Sequence, residues 1–264
     1  APTEIYTLSL HDALPICFWR VWRRNFDAFL KYFHVNLIGN LGDPVLYLVA
    51  MGFGLGSYMG DLQGVSYVQF LAPGIIVSAA MFAATYECTY MSFLKMVHLK
   101  TYDAIIATPV NVEDVVLGDI AWGASKALFS GAVMFAVTAA FGLVHSWWSL
   151  LVIPLILAVG FLFAGLAMLV TTMSPNFDFF SYYLELAVTP LFFFSGVFFP
   201  LDRFPGWLRA AAFCSPLAHA VSIARSLLLG HRPPHPFLGA ALLIIPAIIL
   251  CLASMRRMRK RLIR

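Results

Sequence analysis

The chain has 264 residues, of which 61% are hydrophobic, 15% aromatic and only 11% charged, with a mean hydropathy of +0.85 and a formal net charge of +4. A soluble globule carries about 25% charged residues, so this balance excludes one and marks a membrane protein.

The first sixteen residues are unlike the rest. Thr7–Ile16 read TLSLHDALPI, which back-translates into one frame of a common sequencing adapter, and Thr3–Tyr6 (TEIY) continue that frame upstream. Residues 1–16 are therefore set aside as adapter-derived. His11 and Asp12 would carry catalytic or metal chemistry only with a site built around them. Residues 17–264 are expected to form one membrane domain. Removing Glu4 and Asp12 from the 13 acidic residues leaves 11 against 17 basic ones, a corrected charge of +6.

Residues 17–38 place Phe18, Trp22, Phe26, Phe29, Phe33 and Leu37 at helical steps, with Arg20, Arg23, Arg24, Asp27, Lys31 and His34 on the other side. The pattern predicts an interfacial helix, aromatic face at the acyl boundary and arginines among headgroups. A soluble helix packed on a second domain is the alternative, but no second domain follows. Apolar stretches of bilayer length, about 20 residues each, then recur near 37–59, 67–91, 116–144, 148–173, 179–199 and 236–255. The fold class is thus all-α and polytopic, with six transmembrane helices. Asp43 and Pro44 interrupt the first, whose Gly52 and Gly56 read as a close-packing G-x-x-x-G face.

Positive charge sets orientation. Arg20, Arg23, Arg24 and Lys31, then Lys95 and Lys100, then the tail Arg256, Arg257, Arg259, Lys260, Arg261 and Arg264 lie on one side; loops 58–66 and 145–147 hold no Lys or Arg. Both termini and the 95–115 connection are expected in the cytoplasm. Arg203, Arg209, Arg225 and Arg232 run against this on the outer 200–235 segment, but long segments often escape the rule. A basic tail after an apolar helix reads as a cytoplasmic lipid contact rather than a nucleic-acid site. Cys17, Cys88, Cys214 and Cys251 have no C-x-x-C spacing and read as packing residues. The histidines form no cluster with carboxylates, and no metal site is expected.

The chain holds no G-x-x-x-x-G-K-[ST], so it lacks the phosphate cradle of a nucleoside triphosphatase. No cofactor is expected on this chain, and no enzyme activity. Ionisable groups inside spans are costly, about 2.5–3.5 kcal/mol each at the centre, and so are functional candidates. They are Glu87, Asp119, Lys126 and Glu185. Lys126 sits about two turns deeper than Asp119 and in reach of a carboxylate on a neighbouring helix; structural pairing, substrate contact and a proton relay all stay open.

Two stretches are shaped for a task. Lys95–Asp119 contains Tyr102, Asp103, Thr108 and Pro109, then Asn111 as a helix cap, with Glu113 and Asp114 in the first turn. It predicts a short helix lying flat on the cytoplasmic surface. Ser195–Arg225 carries Gly196, Pro200, Pro205, Trp207, Pro216, His219 and Arg225 and predicts short re-entrant helices before the last span.

Taken together, YVQFLAPGI, KTYDAIIATPVNVEDVVLGD, SGVFFPLDRFPGWL and SPLAHAVSIAR resemble, in order and spacing, the ABC type 2 exporter permeases. LGDPVLYLVAMGFGLG is similar to their nodulation-type (NodJ-like) lipo-oligosaccharide exporter branch. The resemblance, from about Trp19 to Arg261, implies a homodimer of six-helix subunits in the bacterial inner membrane and a separate ATP-binding subunit holding ATP-Mg. It also implies export of a lipid-linked oligosaccharide, polysaccharide or similar amphiphile. By motif it makes 95–119 the coupling segment (Tyr102, Asp103, Thr108, Pro109, Glu113, Asp114), 195–225 the outer gate and 17–38 the interface helix. Three alternatives stay open: a drug or antibiotic exporter with the same motifs, an ion-coupled secondary transporter, which usually shows an internal repeat that is absent here, and an intramembrane transferase, for which no acid–base site is evident.

Overall fold

The computed structural model describes residues 16–34, 42, 44–62, 64–108, 110–144, 146–231 and 236–262. The adapter-like residues 1–15, Asp43, Pro109, His145, Arg232, His235 and Arg264 lie outside the described residues. In chain order the helices are α1 (Ile16–Lys31), α2 (Pro44–Tyr58), α3 (Tyr67–His98), α4 (Thr101–Ile106), α5 (Val112–Ala140), α6 (Trp147–Met173), α7 (178–194), α8 (Gly206–Phe213), α9 (Pro216–Leu228) and α10 (Pro236–Leu262). Among the described residues the only β pairing is a bridge between Leu62 and Val65.

By length and composition α3, α5, α6 and α10 are able to cross a membrane, and a fifth crossing arises if α8 and α9, bent by 83° at their junction, count as one. The chain is a multi-pass membrane protein. Several boundaries differ from the hydropathy reading, because a helix continues wherever its backbone groups need partners, whatever its side chains. α3 runs on past residue 91 to His98, α5 starts at Val112, and α10 carries the basic residues to Leu262 as further helical turns. The expected fifth span, 179–199, is helical only to Phe194. Ser195, Gly196, Val197 and Phe198 turn back into the protein and are buried.

α3 is the central element: 83% of its most apolar window is buried inside the protein, against 22% for α10, whose outer face is left for lipid. Helices in a bilayer gain little from burying apolar surface, so small residues that let backbones approach decide the packing. A Cβ on Gly160 of α6 would lie 2.8 Å from Ala127 Cβ and 3.0 Å from Ala124 Cα of α5. A Cβ on Gly118 would lie 2.7 Å from Val21 Cβ, so α1 is seated directly on α5. Gly52 and Gly56 do face α3, against Val68 and Tyr67, as the G-x-x-x-G reading expects.

Two expectations about α1 and α5 need correction. The aromatic face of α1 is largely taken by α5: Trp22, Phe26 and Phe29 pack on Trp122, and Phe29 and Phe33 pack on Phe129. Edge-to-face ring pairs offer α5 a better partner than the acyl boundary does. Asn111 occupies the N-cap of α5 with extended backbone, but its side chain makes no cap hydrogen bond.

Gly160→Leu is expected to destabilise the α5–α6 contact by about 1–3 kcal/mol, the usual cost of overpacking. Gly54→Ala, at a position with nothing within 4 Å of the added Cβ, should stay within about 0.5 kcal/mol. Thermal unfolding of the two purified variants measures both.

Candidate functional site

Three elements converge on the start of α5. α3 changes pitch at Glu87–Met91 and again at Leu94–His98, with i→i+5 turns. Such wide turns are rare and recur at functional sites, because the extra residue re-aims side chains and frees a carbonyl. Here the carbonyl of Cys88 accepts from Thr171 Oγ1 of α6 at 2.6 Å. Beyond α3 the chain reverses through Leu99 and Lys100, the latter in the left-handed region at φ +48°. That turn lays α4 back against α3 and α5.

Asp119 is the junction. It is 1% exposed and accepts from Asn25 Nδ2 of α1 at 2.6 Å, from Lys95 Nζ of α3 at 2.8 Å and from the phenol of Tyr102 of α4. A buried carboxylate is tolerated only with such a full set of donors. Burial first, and then the negative charge of Asp119, push the Tyr102 phenol well above its usual range, so it keeps its proton and donates.

A second carboxylate continues the network toward the middle of the bundle. Glu87 accepts from Trp122 Nε1 at 3.0 Å and pairs with Lys126 at 3.2 Å, while Lys95 stands 3.9 Å from it. The four charges thus alternate in the order Lys126, Glu87, Lys95, Asp119. Structural pairing, one of the three readings open for Lys126, is what the geometry supplies. Trp22 Nε1 of α1 donates to Ser125 at 2.9 Å and ties the same face again.

At its inner end the network opens on a cavity of about 740 Å³ between α2, α3, α5 and α7. Glu87 and Lys126 form part of its wall, Glu185 of α7 forms another part, and aromatic rings including Tyr86, Tyr90 and Phe192 line the rest. Three of the four intramembrane candidates therefore meet at one cavity, and Asp119 joins them through Lys95.

The coupling candidates separate. Tyr102 is completely buried, which corrects the expectation that it faces a partner: its ring fills the gap under α4 and its hydroxyl serves Asp119. Asp103 and Thr108 are exposed. Glu113 pairs with Arg259 of α10 at 3.2 Å, and Asp114 is buried beside it. Arg261 extends the same tie, donating to the Thr171 carbonyl at 2.8 Å.

The gate candidates form a second cluster. Gly196, at φ +77°, turns the chain after α7, and Val197 fills the space beside Gly74 of α3. Arg225 of α9 clasps this turn, donating to the Gly196 carbonyl at 2.8 Å and to the Phe70 carbonyl at 3.2 Å, with its guanidinium 3.7 Å from the Phe70 ring centre. Pro216 begins α9 behind a Ser215 cap, and His219 bonds the Phe213 carbonyl at 2.7 Å, which holds the bend between α8 and α9. Pro200 is buried, whereas Pro205 and Trp207 are exposed.

Asn25, Lys95 and Trp122 were not singled out by the sequence. Lys95 counted only as a topogenic charge, and the available signal for Asn25 was an uncharged polar side chain on a helix whose other polar residues are charged.

Comparisons place the chain among known transporters. The ABC-2 type transporter family profile matches residues 16–229. Nodulation protein J of Rhizobium meliloti (strain 1021) is 39% identical over 254 residues, 95% of this chain and 97% of that protein. Nodulation protein J of Rhizobium leguminosarum bv. viciae is 40% identical over 245 residues, covering 92% and 94%. Inner membrane transport permease YadH of Escherichia coli (strain K12) is 27% identical over 212 residues, covering 80% and 82%.

Removing one member of a buried pair leaves the other uncompensated, so Asp119→Ala and Lys95→Met should each destabilise by about 3–5 kcal/mol. The double variant should cost clearly less than the two together, the mark of a direct pair. Thermal unfolding in detergent reads the cycle; additive costs would show that the two residues act separately.

Proposed function

The chain belongs to the ABC-2 type transporter family, and on that premise we propose that it is the permease subunit of an ATP-driven exporter in the bacterial inner membrane. In this reading two copies of a six-span subunit pair, with α2 and α7 as the two shorter spans and both termini in the cytoplasm. A separate ATP-binding subunit docks beneath each copy and holds ATP-Mg. The cargo is a lipid-linked oligosaccharide, polysaccharide or similar amphiphile moved outward.

The observation that carries the proposal is the continuous charge network between the exposed helix α4 and the cavity. A chain without a phosphate loop must receive its energy from outside, and α4 and the turn after it present Asp103 and Thr108 outward while Tyr102 anchors α4 to Asp119. A push on α4 is thereby delivered to α1, α3 and α5 together, and through Lys95 and Glu87 to the cavity wall. The outer cluster around Arg225 and Gly196 then serves as the gate on the far side. The cavity, with apolar rings and a few fixed charges, suits a cargo that combines a lipid with a polar head.

Asp103→Lys reverses an exposed charge on α4 and is expected to weaken co-purification of the ATP-binding subunit by about five- to a hundred-fold, equivalent to about 1–3 kcal/mol at one contact. Insertion should be unaffected. A cysteine placed at the exposed Ala107 should cross-link to that subunit. Transport into inverted vesicles that needs no ATP-binding subunit, or that follows an imposed proton gradient, would replace this reading with the secondary-transporter one.

A further inference from the structure

Among the described residues, Glu185 is the one charge on the cavity wall that the network does not absorb. Glu87 is compensated by Lys126, Lys95 and Trp122, and Lys126 by Glu87. Glu185 has no hydrogen bond or ion pair with any described residue, and it is exposed toward the cavity from the middle of α7, an apolar helix. Among the described residues, Glu87, Lys126 and Glu185 are the only ionisable acids and bases in the lining apart from tyrosines, so this described lining carries one net negative charge. An intramembrane carboxylate is costly unless something positive or donor-rich meets it.

The rest of the lining fits the same chemistry. Phe82, Tyr86 and Tyr90 stand at four-residue steps along α3, with neighbouring ring centres 6.2 and 6.0 Å apart, and Phe192 of α7 meets Phe82 at 5.3 Å. Ring faces are electron-rich and attract ammonium groups, most strongly where water is excluded. A surplus carboxylate among aromatic rings disfavours an anionic head and gives a neutral one no charge to pair with. It favours a protonated amine on an apolar body.

Resting on the exporter reading, we propose that this cavity is a binding site for a cationic amphiphile, with Glu185 accepting its ammonium group and the α3 ring ladder flanking it. The amine belongs either to an amino sugar on a lipid or to a simple lipophilic base; the chemistry at Glu185 is the same.

The test is equilibrium binding to the full chain in phosphatidylcholine nanodiscs, without the ATP-binding subunit. The probes share one alkyl chain length: laurylamine, lauryl glucosaminide with a free amine, lauryl maltoside and monolauryl phosphate. Both amines should bind at least about tenfold more tightly than the maltoside or the phosphate, and Glu185→Gln should reduce the amine-to-maltoside affinity ratio about tenfold. Glu185→Asp should restore part of that ratio, which a merely structural role would not do. Tighter binding of the glucosaminide than of laurylamine supports an amino-sugar cargo, and equal binding supports a simple base. The proposal is overturned if the phosphate or maltoside binds as tightly as the amines, or if Glu185→Gln alters subunit association while the ratio holds. Because the assay needs neither ATP nor transport, its failure leaves the exporter reading standing. A failure of ATP-driven export would likewise leave the binding result intact.

Discussion

One buried carboxylate fixes the arrangement of the inner half of this protein. Asp119 is removed from solvent, and leaving its charge unmatched would cost several kcal/mol. Its donors come from α1, α3 and α4, so satisfying it sets the position of all three against α5. None of these contacts is demanded by apolar packing, which in a bilayer discriminates weakly between helix neighbours. The alternation of Lys126, Glu87, Lys95 and Asp119 extends the constraint from the surface helix to the cavity without net charge.

In the exporter proposed above, this tie is what would let a small helix act on a large membrane domain. α4 has six residues, too few to be stable as an isolated helix. It is held by the buried Tyr102 ring and its hydrogen bond to Asp119, and it is positioned by the tight turn at Lys100. Movement of α4 therefore cannot be absorbed locally. It must either break the Asp119 cluster or carry α1 and the wide-turned end of α3 along with it. The wide turns of α3 are where such a shift is most easily taken up, since their hydrogen bonding has an adjacent register available.

Much of the fold was legible in the sequence, because bilayer thickness sets the length of an apolar run and helix breakers punctuate it. α3, α5, α6 and α10 follow directly, as do the broken helices between Ser195 and Arg225 and a short helix between the second and third apolar stretches. The four intramembrane charges were also visible, since an ionisable residue in an apolar run stands out. Their partners were not. Hydropathy does not say which faces meet across three helices, so the pairing of Lys126 with Glu87 stayed one option among several, and the one mark Asn25 carried, an uncharged polar side chain on an amphipathic helix, did not point to Asp119. The burial of Tyr102 was hidden for the same reason: a tyrosine in a short segment of mixed polarity reads as surface until a carboxylate elsewhere in the chain is placed beneath it. The π-type turns leave no mark in composition, and they moved helix boundaries by several residues.

The most direct measurement of whether Asp119 organises the inner half is amide hydrogen exchange on the full chain, comparing wild type with Asp119→Asn. Exchange reports local opening element by element, so a contact that fixes α1 and α4 must show itself there. The account predicts faster exchange in 101–106 and in 18–31, with α6 unchanged beside them. Equal protection of 101–106 in the two proteins would contradict it.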